Sequence, residues 1–146
     1  MNQHELDCWR IERALVSAQY NLDQRDFNRF TEHFSEQGKL YRPTSATPLI
    51  GREEIAAAYA KNPAERFNRH TISNVFVSDI SDNAAHSIAY VTLYSASQNE
   101  GGKPTFGWPV QRCLIGEYHD HWQRNGETWL ITERRALFTI AMLQEA

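Results

Sequence analysis

Residues 66–97, RFNRHTISNVFVSDISDNAAHSIAYVTLYSAS, decide the fold. Arg66 to Ile80 and Ala84 to Ser97 are long runs rich in β-branched and aromatic residues, and the Asp82-Asn83 pair between them has the chemistry of a tight turn. Two more runs of the same kind follow, Val110 to Gln123 and Thr128 to Ala141, joined at Asn125-Gly126, a strong hairpin signal. Gln98 to Pro104, which includes Gly101-Gly102, is a longer connection with no strand-to-helix context for binding phosphate. Four long strands in succession read as an antiparallel meander.

Upstream the period changes. Leu6, Trp9, Ile11, Ala14, Leu15, Ala18 and Leu22 recur mostly at spacings of three and four, which predicts an amphipathic helix. Asp23 interrupts it. A second helical pattern runs through Phe27, Phe30 and Phe34, with Asp23 or Asp26 as N-cap and Gly38 as a stop. A short strand at Lys39 to Arg42, a breaker-rich loop and a third helix over Gly51 to Ala60 complete this half. Helices grouped ahead of an antiparallel sheet imply an α+β domain spanning 1–146: a curved, cone-shaped sheet wrapped around three N-terminal helices. Such a cone leaves a pocket lined by every second strand residue.

The chain of 146 residues is the size of one domain, with 41% hydrophobic and 23% charged residues. A net charge of −3 gives no electrostatic case for a nucleic-acid or anionic-membrane partner. Cys8 and Cys113 fit no zinc or redox spacing. A disulfide and a pair of reduced thiols both remain open, with thiols the expectation for an intracellular protein. No stretch approaches the ~20 apolar residues of a membrane span, and the first residues carry charges with no apolar leader core. The expectation is therefore a soluble, cytoplasmic protein.

His70, Ile72, Asn74 and Phe76 alternate onto one strand face, and a histidine among apolar neighbours needs a partner for at least one ring nitrogen. Asp23, at the joint of the first two helices, can supply one. A carboxylate–imidazole dyad would fix the tautomer and leave the other nitrogen to take a proton. The plainer reading makes Asp23 a helix cap and His70 a satisfied core residue. His119 and His121 share a strand face at a spacing that can chelate a metal, yet no third ligand is placed beside them, so no metal is expected. Arg134, with Leu130, Thr132, Ala136 and Phe138, must be paired if buried. It would either neutralise Asp23 or Asp120, or hold a substrate oxygen. The tyrosines, Tyr41 and Tyr118 among them, serve equally as core packing or as pocket wall.

Several segments, in order along the chain, resemble SnoaL-like domains of the nuclear transport factor 2-like superfamily. They are Leu22-Asp23-Gln24-Arg25-Asp26-Phe27, Ile50 to Ile55, His70 with Asn74, Gly116 to Asp120, and Gly126 to Ile131 leading to Arg134. The resemblance implies the same cone-shaped α+β fold. Its mechanistic analogues are scytalone dehydratase, bile acid 7α-dehydratase and the lindane dehydrochlorinase, whose Asp and His match Asp23 and His70. Arg134 and Tyr118 match an arginine and an aromatic residue of the dehydrochlorinase. Ala18 stands where that enzyme has a lysine, and Leu22 where scytalone dehydratase has a tyrosine, so neither specific activity carries over.

The resemblance implies a cofactor-independent lyase or isomerase of dehydratase type, with Asp23 and His70 catalytic. Leu22, Tyr41, Tyr118 and Arg134 would contact the substrate, a small apolar or cyclic molecule. The alternative is a non-catalytic ligand-binding or accessory subunit, like the β subunit of a ring-hydroxylating dioxygenase, whose cone is filled by Phe27, Phe30 and Tyr90. Polyketide cyclases and ketosteroid isomerases share the superfamily, and fold alone does not decide among them. An aromatic-rich outer sheet face also raises the expectation of a homodimer or higher homo-oligomer.

Overall fold

The computed structural model describes residues 1–99 and 101–144. Helix α1 (Gln3–Asp23) starts at a capping box: the Asn2 side chain accepts from the Glu5 N–H, and the Glu5 carboxylate accepts from the Asn2 N–H, both at 2.9 Å. Its inward stripe, Ile11, Leu15, Ala18 and Leu22, is fully or almost fully buried. Asp7, also buried, accepts from both terminal nitrogens of Arg124 and from the Trp129 indole, which ties the first turns of α1 to the far end of the sheet. Helix α2 (Phe27–Thr31) is capped by Asp26, whose carboxylate accepts from the Arg29 N–H at 3.1 Å. Asp23 is thereby left free for another role.

Strand β1 (Phe34–Tyr41) begins where the sequence pattern extends the second helix. Phe30 and Phe34 are both fully buried with rings in edge contact at 5.4 Å, so the i, i+4 spacing is kept without helix between them. Pairing decides the matter: the Ile131 N–H donates to the His33 carbonyl and draws the chain into the sheet. Gly38 is accordingly no helix stop. It lies in an irregular stretch of β1, where a Cβ would stand 3.0 Å from the Ile131 carbonyl oxygen. After β2 (Leu49–Ile50) and α3 (Arg52–Ala60) come the four long strands, β3 (Arg66–Ile80), β4 (Ala84–Ser97), β5 (Arg112–Asn125) and β6 (Thr128–Leu143).

The sheet order is β2-β1-β6-β5-β4-β3, antiparallel throughout except that β1 runs parallel to β6. The sheet is thus mixed, six-stranded, curved and unclosed, with the three helices on one side of it. The α+β class, the curved sheet and the four-strand antiparallel meander stand, and the parallel pairing of β1 with β6 adds to them. The core joins the α1 stripe to Phe30, Phe34, Leu40, Ile55, Trp122, Trp129 and Ile131.

Bulges alter the strand faces. Register shifts between Ser73 and Phe76, where Asn74 adopts φ 51°, so Ile72 and Val75 pack inward while Phe76 is 62% exposed. Phe76 and His70 therefore do not share a face. A second shift, opposite His121/Trp122, sets Trp129 and Ile131 in phase with Arg134 and takes Leu130 and Thr132 out of it. Cys8 and Cys113 are both free. No helix among the described residues is long and apolar enough to cross a membrane.

Candidate active site

Asp23 ends α1, and His70 lies five residues into β3, the strand against which α1 packs. One carboxylate grips one residue twice. Asp23 Oδ1 meets His70 Nδ1 at 2.6 Å, and Oδ2 accepts from the His70 backbone N–H at 2.7 Å. Both side chains are nearly sealed, at 6% and 7% exposure. A carboxylate oxygen accepts, so Nδ1 carries the proton of the pair, and in the neutral ring Nε2 then holds the lone pair. No described side-chain N or O is both buried and unpaired, so Nε2, which has no partner among the described residues, opens onto the adjoining space.

That space is a cavity of about 200 Å³ lined by Leu22, Asp23, His70, Tyr118 and residues from α2, α3 and all four long strands. Drug-sized ligands occupy ~300–1,000 Å³, so this site suits a small molecule. Leu22, Phe27, Leu93, Ala136 and Phe138 form its apolar wall.

Behind Tyr118 runs a buried chain of hydrogen bonds whose polarity is fixed from one end. Asp120 (0% exposed) accepts from Arg134 Nε at 2.9 Å and from Nη2 at 3.0 Å. Arg134 Nη1 donates to Gln19 Oε1 at 2.8 Å. Arginine has only donors, so the Gln19 amide nitrogen must point the other way, and it donates to the Tyr118 hydroxyl at 3.1 Å. Tyr118 oxygen is thus an acceptor toward Gln19, and its own proton is committed to no acceptor among the described residues. The Arg134 guanidinium also lies 4.2 Å from the centre of the Tyr118 ring. Burial pushes the Tyr118 hydroxyl well above the usual phenol range, against the opposing pull of Arg134. It is a hydrogen-bond donor at neutral pH.

The residues singled out in the sequence fall into two groups. Asp23, His70, Leu22 and Tyr118 meet at the cavity. Arg134 is not in its lining; it is paired with Asp120, one of the two structural partners open to it in sequence. Tyr41 lies outside as well, beneath the Arg135 guanidinium at 3.8 Å. Phe30 fills core, but Phe27 borders open cavity and Tyr90 is exposed, so the filled cone of the accessory-subunit alternative is absent. His119 and His121 turn outward beside His86, with ring centroids 6.2 and 4.8 Å from it. Among the described residues no group of three His, Cys, Asp or Glu side chains comes together as a metal site.

Sequence reasoning passed over the polar end of the cavity, which holds Arg42, Arg66, Asn68 and Arg112. The signal was present. Counting back in twos from His70 reaches Asn68 and Arg66, and counting back in twos from Tyr118 reaches Arg112.

A model of the SnoaL-like domain matches residues 4–135. A search of curated proteins found no match. Among solved structures, a candidate scytalone dehydratase from Novosphingobium aromaticivorans is 18% identical, with a TM-score of 0.77 over 94% of this chain and 87% of that one. A candidate dehydratase of the NTF2-like family from Streptomyces avermitilis is 14% identical, with a TM-score of 0.78 over 93% and 99%. ActVI-ORFA from Streptomyces coelicolor is 18% identical, with a TM-score of 0.71 over 88% and 94%. These identities speak for the shared fold. With a family model that spans nearly the whole chain, on a fold held in common with NTF2-like structures, this chain belongs to the SnoaL-like domain family.

Proposed function

We propose that the protein is a cofactor-independent lyase or isomerase of dehydratase type, acting on a small cyclic molecule by proton abstraction at carbon. The observation that carries this is the Asp23–His70 pair beside the cavity, with Nδ1 engaged at 2.6 Å and Nε2 the ring nitrogen left over.

His70 Nε2 takes a proton from the carbon next to a carbonyl, and the C–H electron pair moves into an enolate. The negative charge gathers on the carbonyl oxygen, where the Tyr118 hydroxyl donates a hydrogen bond. Asp23 stabilises the imidazolium that forms. In an isomerisation the proton returns from His70 to another carbon of the enolate. In a dehydration the β-hydroxyl leaves with that proton as water, and the enolate electrons form the new double bond. A positioned base contributes ~10²–10⁴ in rate and an oxyanion donor ~10²–10³, both best in a site that keeps bulk water out. Dehydratase-like NTF2 structures among the neighbours support the reaction class.

The test is α-proton exchange into D₂O, followed by NMR on a panel of cyclic β-hydroxy ketones, with enone formation read by absorbance. The wild-type protein is expected to accelerate exchange on at least one member, and Asp23→Asn and His70→Gln to lose that acceleration with their melting curves intact. Exchange no faster than in buffer across the panel, or undiminished in folded His70→Gln, would overturn the proposal.

A further inference from the structure

The polar end of the cavity is built from one row across three strands. Asn68 on β3 pairs in register with Ser95 on β4, and Ser95 with Arg112 on β5. Arg112 Nε donates to the buried Ser95 hydroxyl at 3.2 Å, so the Ser95 proton goes the other way, to Asn68 Oδ1 at 2.7 Å. This relay turns the Asn68 side-chain oxygen toward Ser95 and, among the described residues, leaves the Asn68 amide N–H groups and the terminal nitrogens of Arg112 as uncommitted donors.

Charge points the same way. Four arginines line the cavity, Arg25, Arg42, Arg66 and Arg112, against a single carboxylate, Asp23, which is already taken by His70. Arg25 is held by the backbone carbonyls of Asn62 and Pro63. Among the described residues the side chains of Arg42 and Arg66 and the terminal nitrogens of Arg112 have no hydrogen-bonding or ionic partner. Burial, then the neighbouring Arg66, lowers the pKa of Arg112: two like charges are held close in a half-buried site. In a chain whose net charge is −3, that is a local concentration of positive charge with no ion-pair partner among the described residues. An anionic ligand offsets both the desolvation and the repulsion.

We infer that the substrate carries a carboxylate, held by Arg112 and Arg66 with the Asn68 amide, while its reacting carbon lies at His70. Guanidinium and carboxylate match as planar, bidentate partners. Inward residues of a strand are spaced by ~7 Å, so Asn68 stands about that far along β3 from His70. A carboxylate on a six-membered ring is of the size to lie between the two, and it agrees with a cavity of about 200 Å³. A cyclic oxo- or hydroxy-acid is the class described. This deepens the proton-transfer reading and rests on it for the role of His70, but not for the binding of the anion.

Benzoate and benzamide, equal in shape and unequal in charge, are the probes, measured by calorimetry at neutral pH. Benzoate is expected to bind about tenfold or more tightly than benzamide, and to weaken as salt is added. Arg112→Gln and Arg66→Gln should each reduce the benzoate affinity and leave that of benzamide alone; should one fail to fold, the other gives the same readout. His70→Gln should keep the preference for benzoate over benzamide. Absence of benzoate binding, equal affinity for the two probes, or benzoate affinity untouched in a folded arginine variant would overturn the inference. Loss of benzoate selectivity with D₂O exchange intact removes the carboxylate alone. Loss of exchange with selectivity intact removes the proton transfer and leaves an anion-binding cavity.

Discussion

Asp120→Asn removes the charge opposite Arg134 while keeping the shape of the site. Asp120 is 0% exposed and Arg134 2%, and their two hydrogen bonds, at 2.9 and 3.0 Å, make a two-pronged guanidinium–carboxylate pair. With so little exposure solvent does not rescue the arginine, which stays protonated: the Asp120 charge and hydrogen bonds raise its pKa against the opposing effect of burial. Removing one partner of a buried pair costs about 3–5 kcal/mol. For a chain of this length each kcal/mol lowers the melting temperature by roughly 2–4 °C, so the variant should melt roughly 6–20 °C below the wild type. Removing both charges, as Asp120→Leu with Arg134→Met, leaves no unpaired ion. It orphans only the Gln19 carbonyl, at about 1–3 kcal/mol. The double variant should therefore be more stable than the single one. The Gln19 amide, released from Arg134, no longer fixes which way the Tyr118 proton points, so exchange activity should fall even in the double variant. Urea unfolding followed by circular dichroism measures all three proteins. A single variant within about 1 kcal/mol of wild type, or a double variant less stable than the single, would refute the account of the buried chain.

Three further outcomes follow from named contacts. Gly116→Ala should destabilise by about 3 kcal/mol, because a Cβ there would stand 1.9 Å from the Leu137 carbonyl oxygen and 2.7 Å from Phe138 Cα; urea midpoints check this. Asp26→Ala should lose the cap of α2, about 1 kcal/mol, with the Asp23–His70 pair left intact. His33 has its pKa lowered by burial first and by Arg134 second, so the unfolded chain takes up the proton before the folded one does. The stability of wild type relative to His33→Gln should be level above ~6.5 and fall as pH drops below that value, read from unfolding curves at neutral and mildly acidic pH. A difference between the two proteins that grows with acidification in favour of wild type would contradict that sign.

How far the sequence carries can be judged residue by residue. The long strands were legible from their β-branched and aromatic runs bounded by turn residues, and the first helix from apolar residues recurring at spacings of three and four. The Asn125-Gly126 turn was legible because glycine at φ 64° there meets the demand of a two-residue hairpin. Phe34 was not, since an i, i+4 pair of phenylalanines looks the same whether helix or strand carries the second ring. Bulges hid the true faces of Phe76 and Leu130, because a single inserted residue reverses every side chain beyond it. The Asp23–His70 pair, 47 residues apart, was one of two readings that the pattern left open, and resemblance to a known family favoured it. Arg134 was ambiguous for a physical reason: composition says that a buried arginine needs an acid, but only the register of β5 on β6, which sets Asp120 opposite Arg134, says which acid.

The central claim is that Asp23 holds the imidazole of His70 with its proton on Nδ1 and its lone pair on Nε2, facing the cavity. Nitrogen-15 NMR of the histidine side chains, with His70 assigned from the spectrum of His70→Gln, reads this directly. The account predicts a His70 whose neutral form is the Nδ1–H tautomer in wild type and shifts toward Nε2–H in Asp23→Asn. A neutral His70 protonated on Nε2 in the wild-type protein, or a tautomer indifferent to the loss of the Asp23 charge, would contradict it.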